Sequence, residues 1–218
     1  MAQDTLKTPR WDALVLDFGG VLFDIDYQAP VRAFEALGFP EFSDFFQQSG
    51  QSHWVDDLET GAVAPGAFLE ALQAQCYPGT SMDAVLGAWN AILLGFPPER
   101  LAWVQALSEQ TRLFLFSNTN VLHARMFESM LAKQNLLSPF RSAFEAVHYS
   151  HEWGQRKPHA AAFEAMARHH RLNPTLTLFI DDSPQHVAGA RLAGWQAVHL
   201  QLPSDCLDKV LREQGFRL

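Results

Sequence analysis

The sequence predicts an α/β protein: a parallel sheet flanked by helices and interrupted, after its first strand, by an all-helical insertion. Three observations carry this. Short apolar runs that stop abruptly at polar residues recur along the chain, segments with helical spacing separate them, and the stretch from Ala29 to Phe96 holds helical patterns alone. Strands alternating with helices of this length make βαβ units, which pair in parallel. Right-handed crossovers then bring the C-terminal ends of all the strands to one edge of the sheet. The 218 residues suffice for one such core with an insertion. A hydrophobic fraction of 48% is ample to pack it and argues against disorder.

Ala13-Leu14-Val15-Leu16 reads as a buried strand stopped by Asp17 and by the Gly19-Gly20 pair. About three helical patterns and no strand are expected between Ala29 and Phe96. Phe34, Leu37, Phe39, Phe42, Phe45 and Phe46 crowd the first part, and Phe68, Leu69 and Leu72 mark a later helix. Pro97-Pro98 opens a helix over Pro98–Gln110 that places Leu101, Val104 and Leu107 on one face. Leu113–Phe116 is the second strand, followed by a helix over Asn120–Gln134. Phe144–Tyr149 is the third, followed by a helix over Pro158–His170 with proline in its first turn. Leu176–Ile180 is the fourth strand. A helix over Gln185–Ala193 then stops at Gly194, before a last strand over Gln196–Leu200.

Charge and cysteine usage narrow the function. A net charge of −8 argues against a nucleic-acid partner, which needs a basic face. An anionic substrate would then need a bound cation or a local lysine to approach. Cys76 and Cys206 are read as reduced thiols. Met1–Arg10 is too polar for a signal peptide, and no apolar stretch reaches the roughly 18 residues that span a bilayer. A cytoplasmic protein without membrane contact is expected.

Polar groups cluster where the strands end. Asp17 ends the first, Ser117-Asn118-Thr119-Asn120 follows the second, Gly154-Gln155-Arg156-Lys157-Pro158 follows the third, and Asp181-Asp182-Ser183 follows the fourth. Each alone reads equally as a helix N-cap, an acidic turn or a charged loop. Together they place carboxylates, a hydroxyl and an ammonium on one sheet edge, where ligands of open α/β sheets bind. Hard oxygens suit Mg²⁺, and N–H, O–H and Lys donors suit a phosphate dianion.

In this order, Asp17-Phe18-Gly19-Gly20-Val21, Ser117-Asn118-Thr119, Lys157-Pro158 and Asp181-Asp182 resemble the four motifs of the haloacid dehalogenase-like hydrolases, from about Leu14 to Leu200. The closest likeness is to the sugar-phosphate phosphatase branch. The resemblance implies a Rossmann-like core over residues 1–28 and 97–218, with an α-helical cap domain over residues 29–96. It implies a Mg²⁺-dependent phosphomonoesterase that acts on a small phosphorylated metabolite of the sugar-phosphate kind, as monomer or homodimer. Asp17 would be the nucleophile, giving an aspartyl-phosphate that water hydrolyses. Mg²⁺ would be held by Asp17, the Gly19 carbonyl and Asp182, with Asp181 behind them or acting through water. Ser117 and Asn118 would bind the phosphoryl oxygens, and Lys157 would neutralise charge on nucleophile and substrate.

One position departs from the family pattern. Gly19 stands where most of these phosphatases carry a second Asp, acid to the leaving group and base to the water. Such help is worth roughly 10²- to 10⁴-fold, so a site without it favours good leaving groups. Two other readings stay open: a metal-independent 2-haloacid dehalogenase, and a weakly active phosphate-binding member lacking the usual general acid. Asp24, Asp26, Trp54 and His123 are further pocket candidates. His148, His151, His169 and His170 lack the Cys or carboxylate spacing of a zinc site.

Overall fold

The five apolar runs pair as one parallel sheet in a computed structural model that describes residues 10–46, 53–202 and 204–218. Residues 1–9, most of the segment judged too polar for a signal peptide, lie outside the described residues. The strands are β1 (Ala13–Leu16), β2 (Asp24–Ile25), β3 (Leu93–Gly95), β4 (Arg112–Ser117), β5 (Ala146–Tyr149), β6 (Thr177–Asp181) and β7 (Gln196–His199). The sheet order is β5-β4-β1-β6-β7, with β1 parallel to both β4 and β6.

All four residues of β1 are buried, because helices cover both faces of the sheet. Leu14 and Leu16 point to one face and pack with Val104, Leu107, Phe127 and Leu131. Ala13 and Val15 point to the other, against Phe163, Met166 and Ala190. This two-residue alternation, hidden within a continuous apolar run, fixes the register. The strand order reverses at β1, so the crevice outside its C-terminal end is the switch point where such sheets bind ligands.

The helical insertion has its own core. Helices Gln28–Ala36, Phe42–Phe45, His53–Glu59, Pro65–Gln73 and Met82–Asn90 enclose Phe34, Phe42, Phe46, Phe68 and Trp89. Phe34 and Phe42 stack with their ring centroids 4.2 Å apart. Most of the Phe-rich stretch is therefore interior.

Several boundaries differ from those expected. The segment from Ala29 to Phe96 does contain a strand: β3 pairs antiparallel with β2 to form a two-stranded ribbon at the base of the insertion. Each partner is two or three residues long, too short to show a period. The helix after Lys157 starts at Ala160, not Pro158, with His159 extended at its N-cap. β5 begins at Ala146 because Leu137–Ala143 is a helix that carries the chain up to Phe144. Leu176 belongs to a short 3₁₀ turn capped by Asn173, and β6 runs on through Asp181. Helices Ser150–Trp153 and Leu207–Glu213 were not anticipated. No helix among the described residues is long and apolar enough to cross a membrane, and Cys76 and Cys206 are both free.

Candidate active site

β1 delivers Asp17 to the switch point, and a tight turn keeps it there. The Asp17 N–H donates to the Ile180 carbonyl of β6 at 3.0 Å, and the N–H groups of Val21, Leu22 and Phe23 all return to the Phe18 carbonyl. Gly20 within this turn has φ +79°, and a Cβ there would lie 2.3 Å from Asp182 Oδ2. Conformation and space both demand glycine. Gly19 is different: a Cβ there would meet Ile25 Cδ1 at 3.3 Å, a contact that a small shift relieves.

Lys157 is the centre of the charge arrangement. It is fully buried, and its Nζ donates to Asp17 Oδ1 and to Asp181 Oδ2, each at 2.7 Å. Phe116 and Phe179 flank the ammonium with centroids 5.5 and 5.3 Å away. Burial alone would lower the pKa of Lys157, but the Asp17 and Asp181 charges outweigh it and hold the ammonium above its ordinary value. The loop that carries Lys157 is clamped from two sides. Asn118 donates through Nδ2 to the Lys157 carbonyl at 2.8 Å and accepts the Lys157 N–H at 2.9 Å. The helix Pro184–Leu192 closes on it so tightly that a Cβ at Gly189 would sit 2.0 Å from the Pro158 carbonyl oxygen.

The two adjacent acids of β6 have unlike surroundings. Asp181 Oδ1 accepts from the Ser183 N–H at 2.7 Å and Oδ2 from Lys157, while His186 Nδ1 lies 2.9 and 3.0 Å from the two oxygens. Burial opposes its ionisation, but Lys157 and His186 hold it well below the usual carboxylate range. Asp182 faces the cavity beside Asp17, its carbonyl held by His199 at 3.0 Å. Burial, then the charges of Asp17 and Asp181, push Asp182 up to about 8. Asp17 is raised by burial and then by the Asp181 charge, with Lys157 and His186 opposing. A cavity carboxylate raised by two neighbouring carboxylates, in a pocket of hard oxygens, fits a divalent cation.

The cavity has a volume of about 310 Å³. Asp17, Gly19, Ser117, Asn118 and Asp182 line one part, and Ser117 and Asn118 stand where β4 ends. Tyr27, Phe46, Asp56, Glu59 and Ile92 line the part contributed by the insertion and its hinge. Of the strand-end residues singled out from the sequence, Asp17, Ser117, Asn118, Thr119, Arg156, Pro158, Asp182 and Ser183 line this crevice, Lys157 and Asp181 are buried beside Asp17 without lining it, and Asn120, Gly154 and Gln155 are not among the lining residues.

The model of the haloacid dehalogenase-like hydrolases matches residues 11–194. The chain belongs to this family. It is similar to D-ribitol-5-phosphate phosphatase of Bacteroides thetaiotaomicron, 25% identical over 186 residues, 84% of this chain and 88% of that protein. It is similar to a haloacid dehalogenase family enzyme of the same organism crystallised with magnesium and inorganic phosphate. That likeness has TM-score 0.75 and 25% identity over 89% of this chain and 96% of the other. A further likeness is to a predicted hydrolase of this family from Porphyromonas gingivalis: TM-score 0.79, 26% identity, 95% of this chain and all of that one.

Other residues of this haloacid dehalogenase-like hydrolase fall less predictably. Trp54 is 46% exposed and is not among the residues lining the cavity, whereas Asp56 and Glu59 of the same helix are. Asp24 pairs with Arg100 and Asp26 with Arg32 in solvent-exposed ion pairs. His123 does line the cavity, but it is also a structural bridge: its ring stacks on Trp89 at 4.8 Å and Nε2 meets the Trp89 carbonyl at 3.1 Å. His148 and His170 place Nε2 atoms 2.6 Å apart, too close for an ion between them. Among the described residues, Asp17, Asp181 and His186 form a group of three side-chain donors within 4.8 Å of one another, but both Asp181 oxygens are engaged by Lys157, Ser183 and His186.

Sequence reasoning missed His186 and Glu59, and gave Arg156 no role beyond its place in a strand-end loop. His186 had a signal, five residues beyond Asp181 and so near the first turn of the next helix. Arg156 reaches Asp56 and Glu59 across 97 or more positions, and no local pattern announces that.

Proposed function

We propose that this hydrolase is a Mg²⁺-dependent phosphomonoesterase acting on a small phosphorylated metabolite through an aspartyl-phosphate on Asp17. The observation that carries the reading is Lys157, buried at 2.7 Å from both Asp17 and Asp181 while Asp182 is pushed up to about 8. Residues 29–96 act as the cap over this site. The ribitol-phosphate phosphatase relative and the neighbouring structure with magnesium and phosphate support the same reading.

Asp17, the Gly19 carbonyl and Asp182 would hold the ion. Asp181 stands behind them, because both its oxygens are taken by Lys157, Ser183 and His186. When bound, magnesium supplies positive charge that lets a carboxylate and a phosphate dianion approach. Lys157 favours the ionised form of Asp17 and orients it for in-line attack on phosphorus. The ester P–O bond breaks, and its electron pair leaves on the alcohol oxygen. Gly19 offers no proton, so that oxygen takes one from water in the cavity. A second water then cleaves the aspartyl-phosphate, giving its proton to the hydroxide left by that transfer, which releases inorganic phosphate and regenerates Asp17. Ser117 Oγ and the Asn118 backbone N–H bind the phosphoryl oxygens, since the Asn118 side chain is engaged on Lys157.

Metal-free dehalogenation is the weaker reading. Displacing halide from carbon has no use for a second cavity carboxylate as strongly perturbed as Asp182. Release of phosphate from p-nitrophenyl phosphate with Mg²⁺, lost on chelation and in Asp17→Asn, tests the proposal. Halide release from chloroacetate in chelator would overturn it. A cytoplasmic enzyme with reduced Cys76 and Cys206, monomeric or homodimeric, completes the reading.

A further inference from the structure

Arg156 immediately precedes Lys157, so the loop that fixes the catalytic ammonium also fixes this guanidinium. It reaches the helix His53–Glu59, where it pairs with Asp56 and, at 2.9 Å, with Glu59. All three line the cavity, and Glu59 is 6% exposed. None of them has a part in phosphoryl transfer. Two carboxylates face one guanidinium, so the cluster carries an excess negative charge. Tyr27 also lines the cavity, and its hydroxyl stays protonated because burial, then the charges of Asp182, Asp17 and Glu59, raise its pKa well above the ordinary value. Phe46, Ile92 and Leu93 complete this side with apolar surface.

We propose that Arg156, Asp56 and Glu59 form the leaving-group subsite and select phosphate esters whose organic part is small, uncharged and polyhydroxylated. The inference rests on the phosphatase reading above. A substrate hydroxyl can donate to Glu59 or Asp56 while its oxygen accepts from Arg156, so neighbouring hydroxyls of a polyol satisfy both signs of partner. A substrate carboxylate would face Glu59 and Asp56 with only an already paired guanidinium to receive it. An ammonium group would have to share its carboxylates with Arg156. The cavity lies at the small end of the roughly 300–1,000 Å³ range of ligand pockets, leaving room for a short carbon chain beyond the phosphoryl group. Burial raises the Glu59 pKa while Arg156 opposes the shift, so hydrogen bonds to this side chain form in a dry setting and count for more.

Hydrolysis of p-nitrophenyl phosphate by the unaltered protein tests the phosphatase reading by itself, and its absence overturns both proposals. Given that activity, kcat/KM is compared for D-ribitol-5-phosphate, an anomeric hexose phosphate, phosphoglycolate and phosphoethanolamine. The two polyhydroxylated esters should lead by at least about 10-fold, the value of one well-made charged hydrogen bond. Glu59→Gln should lower the ratio of ribitol ester to p-nitrophenyl ester by about 10- to 100-fold. That ratio does not depend on how much of the variant is folded. Glu59→Lys should raise phosphoglycolate relative to ribitol ester. A preference of the unaltered enzyme for phosphoglycolate or phosphoethanolamine, or a ratio unmoved in Glu59→Gln, overturns the subsite.

Discussion

His123 joins the helical insertion to the sheet core, and its chemistry makes that joint acid-sensitive. Asn120 Nδ2 lies 3.0 Å from Nδ1 and can only donate, so Nδ1 is the acceptor and Nε2 carries the proton that meets the Trp89 carbonyl. A second proton has no place on this ring. Burial accordingly drives its pKa from 6.5 to about 4, with the Trp89 carbonyl opposing. The sign follows from linkage: between these values the unfolded chain binds a proton that the folded chain refuses, so stability is complete above about pH 6.5 and is lost as pH falls toward 4. At about 1.4 kcal/mol per pH unit across that window, the loss approaches roughly 3 kcal/mol. His123→Phe keeps a ring on Trp89 but strands the Asn120 amide and the Trp89 carbonyl, costing about 1–3 kcal/mol near neutrality. Urea unfolding of both proteins across this pH range measures the difference, since titrations common to both cancel. The variant should begin less stable and converge on the native protein by about pH 4.5. Parallel stability curves would refute the assignment of His123 as a buried, neutral bridge.

Three further outcomes follow from the site. Lys157→Met leaves Asp17 and Asp181 facing each other without their shared cation, which should cost about 3–5 kcal/mol in urea unfolding and abolish turnover. Gly20→Ala forces φ +79° on a residue with a side chain and drives a methyl into the Asp182 carboxylate. Stability should fall by about 1–3 kcal/mol, and the Mg²⁺ concentration for half-maximal phosphate release should rise. Turnover of unaltered protein should fall steeply as leaving-group pKa rises, because Gly19 donates no proton. Gly19→Asp, which needs only a small give from Ile25, should flatten that slope, whereas equal native rates on aryl and alkyl phosphates would contradict the argument.

Much of this protein was legible in the chain itself, for a physical reason. A buried strand must be apolar, and a strand-end acid or hydroxyl interrupts it visibly, so Ala13–Leu16 with Asp17 and Leu176–Ile180 with Asp181 stand out locally. Once the alternation of strands and helices implied a parallel sheet, right-handed crossovers placed Asp17, Ser117, Lys157 and Asp181-Asp182 on one edge. Where the period was too short the reading failed: the ribbon β2–β3 joins segments about 70 residues apart, and neither half reads as a strand without the other. Trp54, a pocket candidate in the sequence, is exposed, whereas Asp56 and Glu59 of the same helix line the cavity and pair with Arg156. The sequence by itself determined the family, the sheet and the residues at the strand ends, since each depends on local pattern and chain order. Tertiary structure alone decided the rest. It divided Asp181 from Asp182 by their unequal burial and partners, turned His123 into a bridge, and set Arg156 against Glu59. Those are distances between chain-remote groups, and pKa, ion pairing and pocket shape follow distance rather than order.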